Sequence, residues 1–408
     1  LGLQQAWGDP AARLDTARPP VQYSRAWLDD LRLFTRPEQD YVEAESEALT
    51  AQLLAIARAI KQVDPGLGVG GFYPGCNRPQ SDCLTLYRSD AIDFCATPMA
   101  YENRGLAQGC NSQSSFCDAL GSLGKVWWDE LDSRTHAAAP AYAPMHPPTD
   151  PAGSVELLWR DAGQMLVRGH HGWWLDFGGA RYHKTDLNAA EPPYSWHRDP
   201  AVLQFHRDFA ALWARLPEFD RRPWNAVTVL TPAAAARTHD IASHRGNQRH
   251  IEWALAGVPI VYELLENWIE GRCAPGALTV IRGAAWLDDT AAEALQARLA
   301  ETPRATVLWL DAPGLLAPGR EPDSARASKL TGLRLRLARQ PRHAPFARLT
   351  AAGARRFDLP ADRRIGQYDR PLTGGFPASF RRDPATGIPL PFNQEWRIRI
   401  DDPEAEPL

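Results

Sequence analysis

Four short apolar runs, each trailed by a polar or glycine-rich segment, constrain this chain most. They span residues 67–73, 93–99, 126–131 and 172–177. The stretches between them are long enough for crossover helices. Residues 155–168 fit one such helix, with Leu157, Leu158, Met165 and Leu166 among polar neighbours. Residues 200–216 fit another, with Leu203, Phe205, Phe209, Leu212 and Trp213. Buried strands alternating with helices imply an α/β fold with a parallel sheet.

A parallel barrel needs eight strands, and only four runs qualify. Residues 1–65 read as helix and loop. From Pro37 to Val63, Leu49, Leu53, Ile56 and Ile60 recur at helical spacing, with Glu38, Asp40 and Glu43 early and Lys61 late. That charge order complements a helix dipole. The first methionine is Met99. The expectation is therefore the C-terminal half of a (β/α)8 barrel over residues 1–223, its first strands lying before Leu1.

A second β/α segment is expected over 224–408. Strands are predicted at 226–230, within 257–265, at 278–281 and at 305–310. Asp288, Asp289 and Thr290 open a helix at 291–299. This reads as a smaller doubly wound domain. Residues 316–408 are proline- and arginine-rich and irregular, with strands predicted at 332–337 and 395–400, and are expected to be incomplete at the C-terminus.

Composition narrows the function. Lys+Arg 45 against Asp+Glu 49 leaves a net charge of −4 without a basic block, which argues against nucleic acid or anionic membrane as partner. No apolar run approaches the roughly 18–20 residues that span a bilayer. Six cysteines are too sparse for a disulfide scaffold. The compartment stays open, with the cytoplasm favoured. Fifteen tryptophans supply many flat apolar faces, suited to sugar rings and to ordinary cores alike.

In a parallel barrel, functional residues lie at the carboxyl ends of strands. That rule selects Tyr73, then Tyr101, Glu102 and Arg104, then Asp129, Glu130 and Asp132, then Asp176. The stretch around Trp127, Trp128, Asp129, Glu130, Leu131, Asp132, Arg134 and His136 closes a strand with three carboxylates. Strand alternation sends Glu130 and Asp132 to the face opposite Asp129 and Leu131. Glu130 could be the ionised carboxylate of a glycoside hydrolase, kept charged by Arg134 or Arg104. It could equally join a loop salt bridge between Asp132 and Arg134. Trp173 or Trp174 could form a sugar platform beside Asp176, or the indoles could be core and Asp176 a turn cap. His170 and His171 face opposite ways in a strand and are expected to be structural. Cys76 with Cys83 and Cys110 with Cys117 share one spacing, which fits zinc, disulfides or free thiols.

Gly71-Phe72-Tyr73, Asp93-Phe94, the run from Thr97 to Arg104, Glu130 to His136, and Gly172 to Asp176 occur in an order that resembles β-galactosidase-like glycoside hydrolases of family 42. The opening Leu3-Gln4-Gln5-Ala6-Trp7-Gly8 is similar to a stretch that follows the acid/base strand of such enzymes. Ala226 to Leu230, Gly257-Val258-Pro259, Tyr262 and Thr306 to Gly314 resemble their flavodoxin-like, glutamine-amidotransferase-like trimerisation domain. The resemblance implies a partial TIM barrel, a retaining mechanism, a carbohydrate substrate and no cofactor or metal. It also implies a homo-oligomer, a trimer by family habit. Glu130 falls at the nucleophile position. Tyr73, Tyr101, Glu102, Arg104, Trp128, Asp132, Arg134, His136, Trp173, Trp174 and Asp176 are the substrate-binding candidates. The partner acid/base of this family sits on an Asn-Glu pair, which does not occur in this sequence. Glu102 and Asp82 are the conceivable substitutes. Cys273 stands in a loop without a partner for amidotransferase chemistry.

Three readings follow: a retaining exo-glycosidase, a carbohydrate-binding relative that has lost its acid/base, and a metal hydrolase using His136, His170, His171 and Asp132.

Overall fold

The computed structural model describes residues 36–72, 82–99, 104–106, 116–138, 147–176, 195–220, 226–234, 257–303, 305–309, 313–317, 323–339, 346–348, 351–356, 358, 360, 364–366 and 396–400. The chain divides into two compact units. One comprises Ser46–Ala233 with His244–Val280; the other comprises Leu1–Glu45, Ala234–Ser243 and Ile281–Leu408.

Helix α1 (Arg36–Val63) is where the spacing predicts it, but the predicted stripe is not the buried one. Leu49, Leu53, Ile56 and Ile60 are exposed, while Ser46, Thr50, Leu54 and Ala57 turn inward. Small side chains let the helix lie close, and Thr50 Oγ1 both donates to Ser46 O and accepts from Asp82 N. Near its end, Lys61 Nζ meets Asp93 Oδ2 at 2.6 Å, and Asp93 also accepts from Val69 N. This pins the helix to the strands that follow.

The four apolar runs form one parallel sheet: β1 (Gly70–Phe72), β2 (Phe94–Pro98), β3 (Val126–Leu131) and β4 (His171–Trp174), in that order. Helix α2 (Cys83–Arg88) follows β1, capped by Asp82, and a 3₁₀ helix (Cys117–Leu123) precedes β3. Helices α3 (Pro151–Val167) and α4 (Pro200–Ala214) begin alike. Each has aspartate at the N-cap and proline in the first turn, and Asp150 and Asp199 accept backbone N–H groups at 2.8 Å.

The register makes the two faces of this sheet different. Glu130 pairs with Pro98 and Trp173, and Trp128 with Ala96 and His171. Paired residues of a parallel sheet point the same way. Leu131 and Met99 therefore face α3 and α4, in a core with Leu158, Ala162, Met165, Val202, Phe205 and Phe209. Each such side chain contributes about 1.5–3 kcal/mol by leaving water. Gly172 permits the close packing here, since a Cβ would lie 2.7 Å from Met165 Sδ.

Strands β5 (Val227–Thr231) and β6 (Ile260–Leu264) pair in parallel, and β7 (Leu278–Ile281) lies on the other side of β5. Short helix α5 (Leu265–Ile269) follows β6. Within this unit β6 packs on the 3₁₀ helix. Tyr262 N donates to Asp118 Oδ2 at 2.7 Å, and Asn267 Nδ2 donates to Glu263 Oε1 at 2.8 Å.

In the other unit, α6 (Asp289–Glu301) is capped by Asp288 and is followed by β8 (Thr306–Trp309). Helix α7 (Ser324–Thr331) is capped by Asp323. Arg326 binds Asp289 Oδ1 at 2.5 Å and the carbonyls of Leu287 and Gly314. The strands expected near 332–337 and 395–400 are β9 (Leu335–Arg339) and β12 (Trp396–Ile400), which pair antiparallel. Between them in sequence come β10 (Phe346–Arg348), helix α8 (Ala351–Arg356) and β11 (Arg364–Gly366), with β10 and β11 also antiparallel.

Candidate active site

The carboxyl end of β3 brings Glu130 and Asp132 to the face that α3 and α4 do not cover. Their surroundings differ sharply. Asp132 is held by two arginines: Arg104 Nη1 reaches Oδ2 at 2.5 Å and Arg134 Nη1 reaches Oδ1. Arg104 is itself fixed by donating to Met99 O at 2.6 Å, and Arg134 lies over the Trp196 ring at 5.1 Å. Asp132 is thus the anchor of a buried ion cluster.

Glu130 is only 8% exposed. Among the described residues no group donates to its carboxylate. Burial, reinforced by the negative charge of Asp132, pushes its carboxyl up to about 6, and the charges of Arg104 and Arg134 offset part of that rise. The loop-salt-bridge alternative holds for Asp132 and Arg134 but does not include Glu130.

Aromatic rings pave the same face. Trp128 stacks on Phe94 at 4.9 Å and on His171 at 6.0 Å, and lies 6.2 Å from Trp173. Trp173 in turn lies 6.0 Å from Phe72, which is exposed. Trp174, one residue on, points the other way and packs edge-on against Phe205 and Phe209. Of the two expected platform indoles, Trp173 is on the open face and Trp174 belongs to the core.

The other candidates fall around this centre or away from it. Asp176 accepts from Ser195 Oγ and from Trp196 N at 3.1 Å, tying the segment after β4 to the Trp196 turn. His136 Nδ1 meets Ser154 Oγ at 2.8 Å, and its Nε2 stands 3.5 Å from Asp199. Asp82 is spent as the cap of α2. Tyr73, Tyr101 and Glu102 lie outside the described residues, as do Cys76 and Cys110. Cys83 and Cys117 are buried and form no disulfide.

His136, His170, His171 and Asp132 do not assemble into a metal cluster; His170 stands with Cys117 and Asp118 instead. The sequence reading passed over Phe72, Phe94 and His171 as lining. Their signal was the strand register, which places them on the parity of Glu130.

No protein-family model matches this chain, and no curated protein matches it. Solved structures do. The cold-adapted β-galactosidase from Rahnella sp. R3 superposes with a TM-score of 0.58 at 12% identity, over 90% of this chain and 54% of that one. The polyextremophilic β-galactosidase from the Antarctic haloarchaeon Halorubrum lacusprofundi superposes with a TM-score of 0.52 at 14% identity, over 84% and 53%. The fold is β-galactosidase-like. The β-galactosidase-like chain spans about half the length of these two enzymes. Its parallel α/β architecture is that of a partial TIM-barrel-like fold.

Proposed function

We propose that this chain carries the nucleophile of a retaining glycoside hydrolase, family 42-like, that removes terminal β-galactosyl or related sugars. One observation carries the reading. Glu130 is a buried carboxylate with no hydrogen-bond donor among the described residues, at the carboxyl end of a parallel strand, on a face paved with indoles. With its carboxyl at about 6, it is mostly ionised at neutral pH. A bare anion is the better nucleophile, because no donor must be surrendered as it bonds to carbon.

In this reading Trp128 and Trp173 stack on the sugar's C–H face. Glu130 attacks the anomeric carbon and forms an ester to the sugar. The leaving oxygen takes a proton from the acid/base, and water then cleaves the ester. Arg104, Asp132 and Arg134 hold the loop beneath the sugar. The resemblance puts the proton donor on an Asn-Glu pair, which this sequence lacks, so the proposal assigns this chain the nucleophile alone. Residues 1–223 would be the partial barrel and 224–408 the flavodoxin-like trimerisation domain.

An activated sugar tests this directly. Fluoride leaves without protonation, so 2-deoxy-2-fluoro-galactosyl fluoride needs only the nucleophile. Incubation should leave one fluorosugar on the peptide bearing Glu130, read by mass spectrometry, and none in Glu130→Gln. Galactose binding without any adduct would favour the carbohydrate-binding relative, whose support is the missing Asn-Glu pair. An adduct on another residue would remove the assignment.

A further inference from the structure

At the amino ends of β3 and β4, away from Glu130, a second cluster comes together. Cys117, Asp118 and His170 are all buried, and each offers an atom within 4.8 Å of the others. Asp118 Oδ1 and His170 Nε2 face each other at 3.4 Å, short of good hydrogen-bond geometry, and neither atom has another partner among the described residues.

The remaining atoms of both side chains are firmly held. Asp118 Oδ2 accepts from Tyr262 N at 2.7 Å and from Arg168 Nη1 at 2.8 Å. His170 Nδ1 meets Asp129 Oδ2 at 3.0 Å, and Asp129 Oδ1 accepts from Trp127 Nε1 at 2.9 Å. A carboxylate on one ring nitrogen fixes the tautomer and aims the lone pair of the other, which is the outer-shell arrangement of metal-binding histidines.

We propose that Cys117 Sγ, Asp118 Oδ1 and His170 Nε2 bind a zinc-class divalent cation, with its fourth position open to the adjoining cavity of about 580 Å³. Lys125, Trp127, Trp213 and Phe219 are among the residues lining that cavity. The geometry fits. Tetrahedral N and O ligands at the usual zinc distances stand about 3.3 Å apart, against 3.4 Å here. The ligand types fit too, since thiolate with imidazole and carboxylate suits zinc over magnesium or calcium.

The adjacent-histidine argument against a metal does not apply, because the other ligands come from the 3₁₀ helix before β3. This site is independent of the Glu130 reading.

Cobalt tests it. The purified full chain is equilibrated with Co²⁺, dialysed, and examined by metal analysis and absorption. One Co²⁺ per chain, with a thiolate-to-cobalt charge-transfer band that Zn²⁺ displaces, is expected. Cys117→Ser should abolish the band, and Asp129→Asn should weaken binding about 10–100-fold. Cys273→Ser, at a cysteine that is not part of the cluster, should leave both unchanged. No stoichiometric cobalt in the wild-type chain overturns the proposal, whatever the variants do. So does a band that survives Cys117→Ser.

Discussion

Asp129 and Glu130 are neighbours on β3 and both are buried, at 1% and 8% exposure, yet the two faces of the sheet treat them in opposite ways. On the helical face, Asp129 accepts from Trp127 and meets His170, so its charge is compensated within about 3 Å. On the aromatic face, Glu130 is buried with no donor among the described residues, the charges of Arg104 and Arg134 compensate it only in part, and its carboxyl rises to about 6. A carboxylate that only stabilises a fold is normally placed as Asp129 is. One held as Glu130 is held makes the fold less stable, and such placements concentrate at functional sites.

The contrast yields its largest effect in chemistry. On the proposed function, Glu130→Gln should lower hydrolysis of an aryl β-galactoside by on the order of 10⁴-fold or more. Near wild-type turnover would place the nucleophile elsewhere.

Stability should move the other way at Asp129. Asp129→Ala strands the His170 ring and the Trp127 N–H in a buried site, at a cost of about 3 kcal/mol. A urea melt followed by tryptophan fluorescence reads this as a lower midpoint. An unchanged midpoint would mean that the helical face does not depend on its charge compensation.

Glu130→Gln should stabilise the fold at pH 7, by about 1–2 kcal/mol. Its folded-state carboxyl is raised from 4.5 to about 6. The destabilisation from ionising it is therefore fully present above pH 6. It fades as pH falls and is gone below about 4.5, where both states are protonated. Thermal melts should show the variant a few degrees above wild type at pH 7 and level with it at pH 4. A gain that persists at pH 4 would point to packing as its source.

Much of this contrast was legible before the structure. Strand β3 was read to the residue, because Val126 to Leu131 is an apolar run ending in acids. Alternation along it correctly separated Asp129 from Glu130. Helices α3 and α4 were legible from their recurring apolar residues, although α3 begins at Pro151, four residues before the expected start. What could not be read was pairing. That Phe72, Phe94 and His171 join Glu130's face depends on the register of β1, β2 and β4, which no single strand encodes. The inward stripe of α1 was missed because Ser46, Thr50 and Ala57 carry no hydrophobic signal, while the more apolar stripe stays exposed. The Cys117–Asp118–His170 cluster joins residues more than 50 positions apart in sequence through two strand starts.

The smallest effect is the most specific, because it asks whether Glu130 feels its neighbours as the structure implies. If Glu130 attacks as an anion, kcat/KM should fall about tenfold per pH unit below about 6. Asp132 raises that carboxyl, while Arg104 and Arg134 lower it. Asp132→Asn removes the negative neighbour and keeps both arginines, so the acid limb should move to lower pH. A shift of up to one unit corresponds to a factor of ten or less at pH 5, relative to the variant's own plateau. The loss of a buried ion-pair partner also weakens the fold, so profiles belong at a temperature where circular dichroism shows the variant folded throughout. A limb that stays in place would mean that another group sets it. A limb that moves upward would mean that the arginines, once released from Asp132, turn away from Glu130.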